Sequence, residues 1–386
     1  MKTLFATLIL SLMLNTLFTH ESYAQPINKV KKQFDKVLKR EDIHSGFFSL
    51  HSDRLGIHEQ WVSGQFTDGK SVTTQTPFHT TSVGKTFTAT TIALLADEGK
   101  LRFDDPATNY LPAETLEGLH VIDGVDYGNQ ITIGHLLQHR SGLPDYFEDE
   151  PILGENMMSQ LFSEPECYWE PEELIEFTKQ HFQAKFEPGT DYHYTDTGYI
   201  LLGLIIEQLE CKPLHQVLAE RIFQPLDLTL SSMHLRSKPL ATPDYPMAEL
   251  YADTYEISGL KSLSADWAGG GLLSSSEDLY HFMKALQDGE LVRLATLQKM
   301  QQWTEESLGT YYGYGLRKWE LQQLSPILPK LTLIGHSGST GSFMYYCPEL
   351  DTYLTGSFNQ TNFKRGHIEF LIGILSDLNS HDEQSN

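Results

Sequence analysis

Residues 82–96 predict a helix with almost no polar face. Phe87, Ala89, Ile92, Ala93, Leu94, Leu95 and Ala96 spread around its circumference. A helix apolar on most sides belongs inside a fold, enclosed by other layers. Gly99 then stops it. Its first turn nonetheless carries a hydroxyl and an amine, in the run Ser82-Val83-Gly84-Lys85. Positions i and i+3 share one helix face, so the amine can reach the hydroxyl. Burial disfavours a lysine's charge, and a serine beside a base is the minimal kit for nucleophilic catalysis. The bland reading is that Lys85 snorkels to the surface or pairs with an acid. Ser-x-x-Lys alone is a weak signal. A second match, Ser258-Gly259-Leu260-Lys261, lies in a glycine-bearing polar loop and is read as chance.

The 386 residues, 40% hydrophobic and 20% charged, fit an ordinary globular protein of one or two domains. Residues 46–66 predict a β-hairpin around Ser52-Asp53-Arg54. Residues 105–260 read as mainly helical, with candidate helices at 131–139, 171–183, 197–209 and 213–223. Strand-like runs return at 331–335, 342–347 and 351–357. A final helix over 366–378 places Ile368, Leu371, Ile372, Leu375 and Leu378 on a helical period. Strands and helices at both ends thus enclose a helical insertion. This predicts an α/β (α+β) sandwich whose sheet comes from distant parts of the chain, plus an all-α subdomain at about 105–260. The active site is expected in the cleft between them.

Residues 1–24 read as a secretory signal. Lys2 precedes a mostly apolar run from Leu4 to Phe18, and Ser22-Tyr23-Ala24 offers small residues for cleavage after Ala24. The expected product is a periplasmic or secreted domain over 25–386, without stable membrane insertion. A formal net charge of −23 argues against nucleic acid and anionic lipid as partners. Cys167, Cys211 and Cys347 allow at most one internal disulfide, and none forms a Cys-x-x-Cys pair.

Further motifs follow Ser82 in order: Ile131-Thr132-Ile133-Gly134-His135-Leu136-Leu137-Gln138-His139-Arg140-Ser141-Gly142-Leu143, Tyr194-Thr195-Asp196, Ala268-Gly269-Gly270-Gly271 and His336-Ser337-Gly338. Any one is weak. Together, over residues 30–380, the set resembles the serine β-lactamase-like superfamily, which includes class C β-lactamases, DD-peptidases, D-aminopeptidases and some esterases. The resemblance implies a central antiparallel sheet flanked by helices, and no metal or organic cofactor. It implies Ser82 as the acylated nucleophile, Lys85 as a base and Tyr194 as a proton relay. Asp196, His336, Ser337 and Gly338 match substrate-contacting positions, and the backbone N–H groups of Ser82 and Ser339 match the oxyanion hole. The substrates implied are small amides or esters, among them D-amino-acid peptides.

Two positions depart from that pattern. Asp196 stands where Asn is usual, replacing an amide with an acceptor-only carboxylate. It could ion-pair with Lys85 and hold it charged, so the sequence leaves open whether Lys85 or Tyr194 is the base. His336 stands where β-lactamases carry lysine. A mostly neutral imidazole attracts a substrate carboxylate less, which with the net charge predicts poor hydrolysis of anionic β-lactams. A non-catalytic binder is the reading from another class.

His135 and His139 share a helical face like half of a zinc site, but Leu136 stands where a metalloprotease needs Glu, so no metal is assigned. Residues 141–178 contain eleven acids and no Lys or Arg. They form a solvated face or an acidic rim favouring cationic or neutral substrates. Tyr146, Phe147, Tyr168 and Trp169 are candidates for the substrate entrance.

Overall fold

Both ends of the chain build one eight-stranded sheet. The computed structural model describes residues 25–363 and 365–385. The expected signal at 1–24 lies outside them. β1 (Ser45–Ser52) and β2 (Ile57–Gly64) form the predicted hairpin. β3 (Thr304–Ser307), β4 (Thr310–Tyr312), β5 (Arg317–Glu320), β6 (Thr332–Ser337), β7 (Phe343–Cys347) and β8 (Thr352–Ser357) form a meander. The order across the sheet is β3-β4-β5-β6-β7-β8-β1-β2, with every neighbouring pair antiparallel. Phe47 lies opposite Ser357 and Leu50 opposite Leu354, which joins the two ends.

Alternation along these strands sets the layers, because successive side chains face opposite sides. Phe48, Leu50, Phe343, Tyr345 and Leu354 pack with Val30 and Phe34 of helix α1 (residues 25–37) and with Leu371 and Leu375 of α5 (Gly366–Ser385). Phe47, Met344 and Tyr353 face the opposite way, into the larger core. That core contains α2 (Gly84–Asp97), α3 (Asp196–Glu210) and α4 (Ser276–Gln287). Helix α4 is fastened to the sheet where Thr355 Oγ1 donates to the Ser276 carbonyl at 2.6 Å.

The apolar helix read from sequence is central, as expected. Eleven of the fourteen residues of α2 are buried, and Gly99 follows with φ +74°. The segment read as helical contains helices Ile133–Leu137, Pro171–His181, α3 and Leu214–Leu218. It also holds two short hairpins, Val121–Ile122 with Val125–Asp126 and Tyr251–Ala252 with Tyr255–Glu256. Strand Ser232–Met233 leaves the segment to pair with Leu272–Ser274, which also pairs with Phe78–His79. This small sheet ties the helical region to the turn before α2.

Phe48 is fully buried between the sheet and α1 and α5. Phe48→Ala is expected to cost about 3–5 kcal/mol in denaturant unfolding. Ser63→Ala on the exposed edge strand should stay within about 0.5 kcal/mol.

Candidate active site

Between strand Phe78–His79 and α2 the chain makes a single 3-10 turn, Thr81–Val83. Thr81 adopts φ +43°, a strained conformation for a β-branched residue, costing about 1–3 kcal/mol. Neighbours enforce it. The Thr81 N–H donates to His79 Nδ1 at 3.2 Å, and Thr80 Oγ1 donates to the Leu272 carbonyl at 2.9 Å. A Cβ on Gly338 would collide with Thr81 Oγ1 and the Thr80 carbonyl. Glycine therefore lets the chain leaving β6 lie against the turn, and Ser82 is presented at the edge of a cavity that Ser339 also lines.

Lys85, one turn on, is wholly buried. Its Nζ lies 3.3 Å from Ser82 Oγ and 2.9 Å from the Gly269 carbonyl, and pairs with Asp196 Oδ1. An ammonium has three protons, and each has an acceptor here. Asp196 is the first residue of α3, whose N-terminus is capped by the Thr195 side chain accepting from the Thr197 N–H. A Cβ on Gly269 would collide with Asp196 Oδ1, so the glycine run is what lets α2, α3 and helix Trp267–Gly270 converge on one amine.

Tyr194 completes the group. Lys85 Nζ sits 4.9 Å from its ring centroid, and the tyrosine lines the same cavity as Ser82. Burial and the Asp196 carboxylate push the phenol well above its usual value, against the opposing pull of Arg317 and the nearby Ser82 hydroxyl. Ser82, Lys85, Tyr194 and Asp196 are therefore brought together from two distant segments, with the Gly269 carbonyl of a third on the Lys85 amine. The arrangement can pass a proton from Ser82 to an amine and offer one from a phenol.

The cavity encloses about 440 Å³. Its apolar wall includes Phe147, Met158, Leu161, Phe162, Leu250 and Ile257. Its ionisable lining is acidic: Asp145, Glu148, Asp196, Asp253 and Asp266 face it, and among the described residues no Lys, Arg or His does. Burial, then the Asp196 charge, pushes the Asp145 carboxyl up to about 8 and the Asp266 carboxyl up to about 7.

Other expected residues fall elsewhere. His336 does not line the cavity. It is buried, with Nε2 accepting from the Tyr312 hydroxyl at 2.9 Å and Nδ1–H donating to the Ser337 carbonyl at 2.8 Å. Burial, then the Arg317 and Lys85 charges, hold it well below 6.5 and therefore neutral. Ser337 faces a separate groove beyond β6 and accepts from the Tyr345 hydroxyl at 3.3 Å. Gly338 serves the close approach described above. Of the expected entrance aromatics only Phe147 lines the cavity. Tyr146 is buried with its hydroxyl on the Ala265 carbonyl, Trp169 packs on Phe177, and Tyr168 lies against Arg236. In the second Ser-x-x-Lys match Lys261 pairs with Glu166, while the Ser258 hydroxyl donates to Glu256.

Asp145, Asp266 and Arg317 were not singled out from sequence. Arg317 on β5 donates to Glu306 through Nε and Nη2 at 2.7 and 2.8 Å, and its guanidinium lies 5.5 Å from the Tyr194 ring centroid. The acidity of 141–178 was the signal that could have pointed to Asp145. Nothing local marks the other two.

Residues 41–372 match the beta-lactamase family. Penicillin-binding protein 4* of Bacillus subtilis is 25% identical over 324 residues, 79% of this chain, which spans 65% of that relative's own length. A D-stereospecific amidohydrolase from Streptomyces sp. is 26% identical with TM-score 0.68, covering 83% of this chain and 90% of the other. D-amino acid amidase from Ochrobactrum anthropi, complexed with L-phenylalanine amide, shares the fold with TM-score 0.76 at 23% identity, covering 92% and 99%. The match over residues 41–372 and the shared fold place this chain in the beta-lactamase family.

Proposed function

We propose that this protein hydrolyses small amides and esters through an acyl-enzyme on Ser82, and that it prefers acyl donors carrying an ammonium group beside an apolar side chain. The carrying observation is the cavity lining, acidic and apolar with no facing cation among the described residues. Substrates ending in a carboxylate would meet repulsion there. The Streptomyces amidohydrolase and the Ochrobactrum amidase support D-amino-acid amides or peptides as the natural class. The leader read at residues 1–24 assigns it to the periplasm or the exterior.

In the proposed cycle Lys85 passes a proton to Asp196 and accepts the proton of Ser82 as Oγ attacks the carbonyl carbon. The N–H groups of Ser82 and Ser339 hold the resulting oxyanion. Tyr194, kept protonated by burial, gives its proton to the leaving amine as the acyl–N bond breaks, and recovers one from Lys85. Asp196 returns its proton to Lys85. Water then repeats the sequence on the ester, and the serine proton has passed to the leaving group.

Ser82→Ala is expected to abolish fluorophosphonate labelling and to lower turnover about 10⁴-fold or more. Equal labelling of both proteins would leave only a binding function. Asp196→Asn removes the carboxylate that receives the Lys85 proton in this cycle and leaves an amide that cannot hold it. Turnover should fall about 10²- to 10⁴-fold. Turnover equal to that of the parent would exclude Asp196 as the acceptor of that proton.

Substrate preference is testable with two acyl esters of equal shape, one bearing trimethylammonium and one tert-butyl. Asp266 and Asp145 gain negative charge as pH rises through about 7 and about 8. KM for the cationic ester should therefore fall about tenfold between roughly pH 6 and 9. The neutral ester should hold steady, and parallel KM values would refute the preference.

A further inference from the structure

His139 was set aside as half of an improbable zinc pair. Its surroundings give it another use. Residues 139–145 run beside 193–197 and bind that segment through successive groups. The His193 N–H donates to the His139 carbonyl at 2.9 Å, and the Thr195 N–H donates to His139 Nδ1 at 3.1 Å. Thr195 and Thr197 Oγ1 both donate to the Pro144 carbonyl at 2.7 Å, and the Asp196 N–H donates to Asp145 Oδ1 at 2.7 Å. Tyr194 is thus flanked on both sides by amides tied to one residue.

The imidazole also touches the phenol it brackets. His139 is wholly buried, with its ring centroid 4.2 Å from that of Tyr194 and 4.4 Å from that of Tyr312. Accepting a backbone N–H at Nδ1 puts the ring proton on Nε2, the neutral tautomer. Burial, then the Lys85 charge, hold the group well below 6.5, so it remains an acceptor near neutral pH. Its backbone takes φ +56°, which histidine tolerates less readily than glycine or asparagine.

We infer that His139 is a positioning residue for Tyr194: its carbonyl and Nδ1 clamp the two amides flanking that tyrosine and so aim the phenol at Ser82 and the leaving group. This rests on Tyr194 acting as the proton donor proposed above. Amide expulsion needs that proton, whereas a p-nitrophenolate departs without it. A displaced phenol therefore lowers amide turnover more than ester turnover.

The test uses the full protein and rates normalised to the fraction of Ser82 labelled by fluorophosphonate. Glycine relieves the positive φ and keeps the carbonyl but supplies no side-chain acceptor, while asparagine accepts and tolerates that φ. His139→Gly should lower kcat on a D-amino-acid p-nitroanilide about 10- to 1000-fold with KM nearly unchanged, and kcat on the matching p-nitrophenyl ester less than tenfold. His139→Asn should recover the anilide-to-ester ratio to within about tenfold of the parent. In a double variant with Tyr194→Phe, the glycine substitution should add nothing further to the ratio. If Tyr194→Phe leaves the ratio unchanged, the proton-donor reading fails. If it lowers the ratio while His139→Gly does not, the clamp is refuted. Should the glycine variant not fold, the asparagine variant decides, and a ratio as low as that of Tyr194→Phe overturns the inference.

Discussion

The contact on which the site depends is the buried pair of Lys85 and Asp196. An ammonium with no exposed surface would be costly by itself, and removing one partner of such a pair typically destabilises by about 3–5 kcal/mol. Here the amine is held by Asp196 of α3, the Gly269 carbonyl and Ser82 of the turn before its own helix. Three segments far apart in the chain must dock correctly before the charge is compensated. The demand that makes α2 central, its apolar circumference, also carries the lysine inward. Folding and preparation of the nucleophile are therefore satisfied by the same contacts.

That arrangement leaves the interior basic side chains already engaged. Lys85 has an acceptor for every proton, Arg317 is held by Glu306, and His336 is neutral in a bond to Tyr312. The acids have the opposite placement, with Asp145, Glu148 and Asp266 on the cavity surface. Positive charge therefore acts on Ser82 and Tyr194 from behind the wall, and a substrate in the cavity faces negative charge. The two effects separate activation of the nucleophile from selection of the acyl group.

The sequence was most legible where one local rule decided the outcome. The apolar residues spread around the circumference of residues 82–96 marked the interior helix. The alternations at 46–66 and 342–357 marked the strands. Strands β3 to β5 were missed because they are short and charged. β3 and β5 carry Glu305, Glu306, Arg317 and Lys318, with Arg317 paired to Glu306 across the sheet, and β4 is only three residues long, although Tyr312 on it is buried. Helix α4 was missed although its signal was present: Ser275 caps the Asp278 N–H, and Leu279, Phe282, Met283 and Leu286 follow at helical spacing. The Ser82–Lys85 contact was readable because the pair stands at i and i+3 of one helical turn. The turning away of His336 was not, since Tyr312 on another strand holds it. The same reason hid Arg317, which reaches Tyr194 only after β4, β5 and β6 are in register.

Backbone strain shows how firmly these parts are fixed. Thr81, His139 and Trp267 all have positive φ, at 43°, 56° and 25°. Each adjoins a group in the site: Thr81 precedes Ser82, His139 brackets Tyr194, and Trp267 follows Asp266. Relaxed alternatives for a β-branched or aromatic residue are favoured by about 1–3 kcal/mol. The strained forms persist because surrounding bonds over-determine them, such as Thr81 N–H to His79 and Thr195 N–H to His139. A loop able to relax would let Ser82 or Tyr194 drift by fractions of an ångström, and proton transfer across 3 Å contacts does not tolerate that. Strain at these residues is thus what a rigid, prearranged proton path requires, and it is compensated by the well-packed sheet and helices on either side.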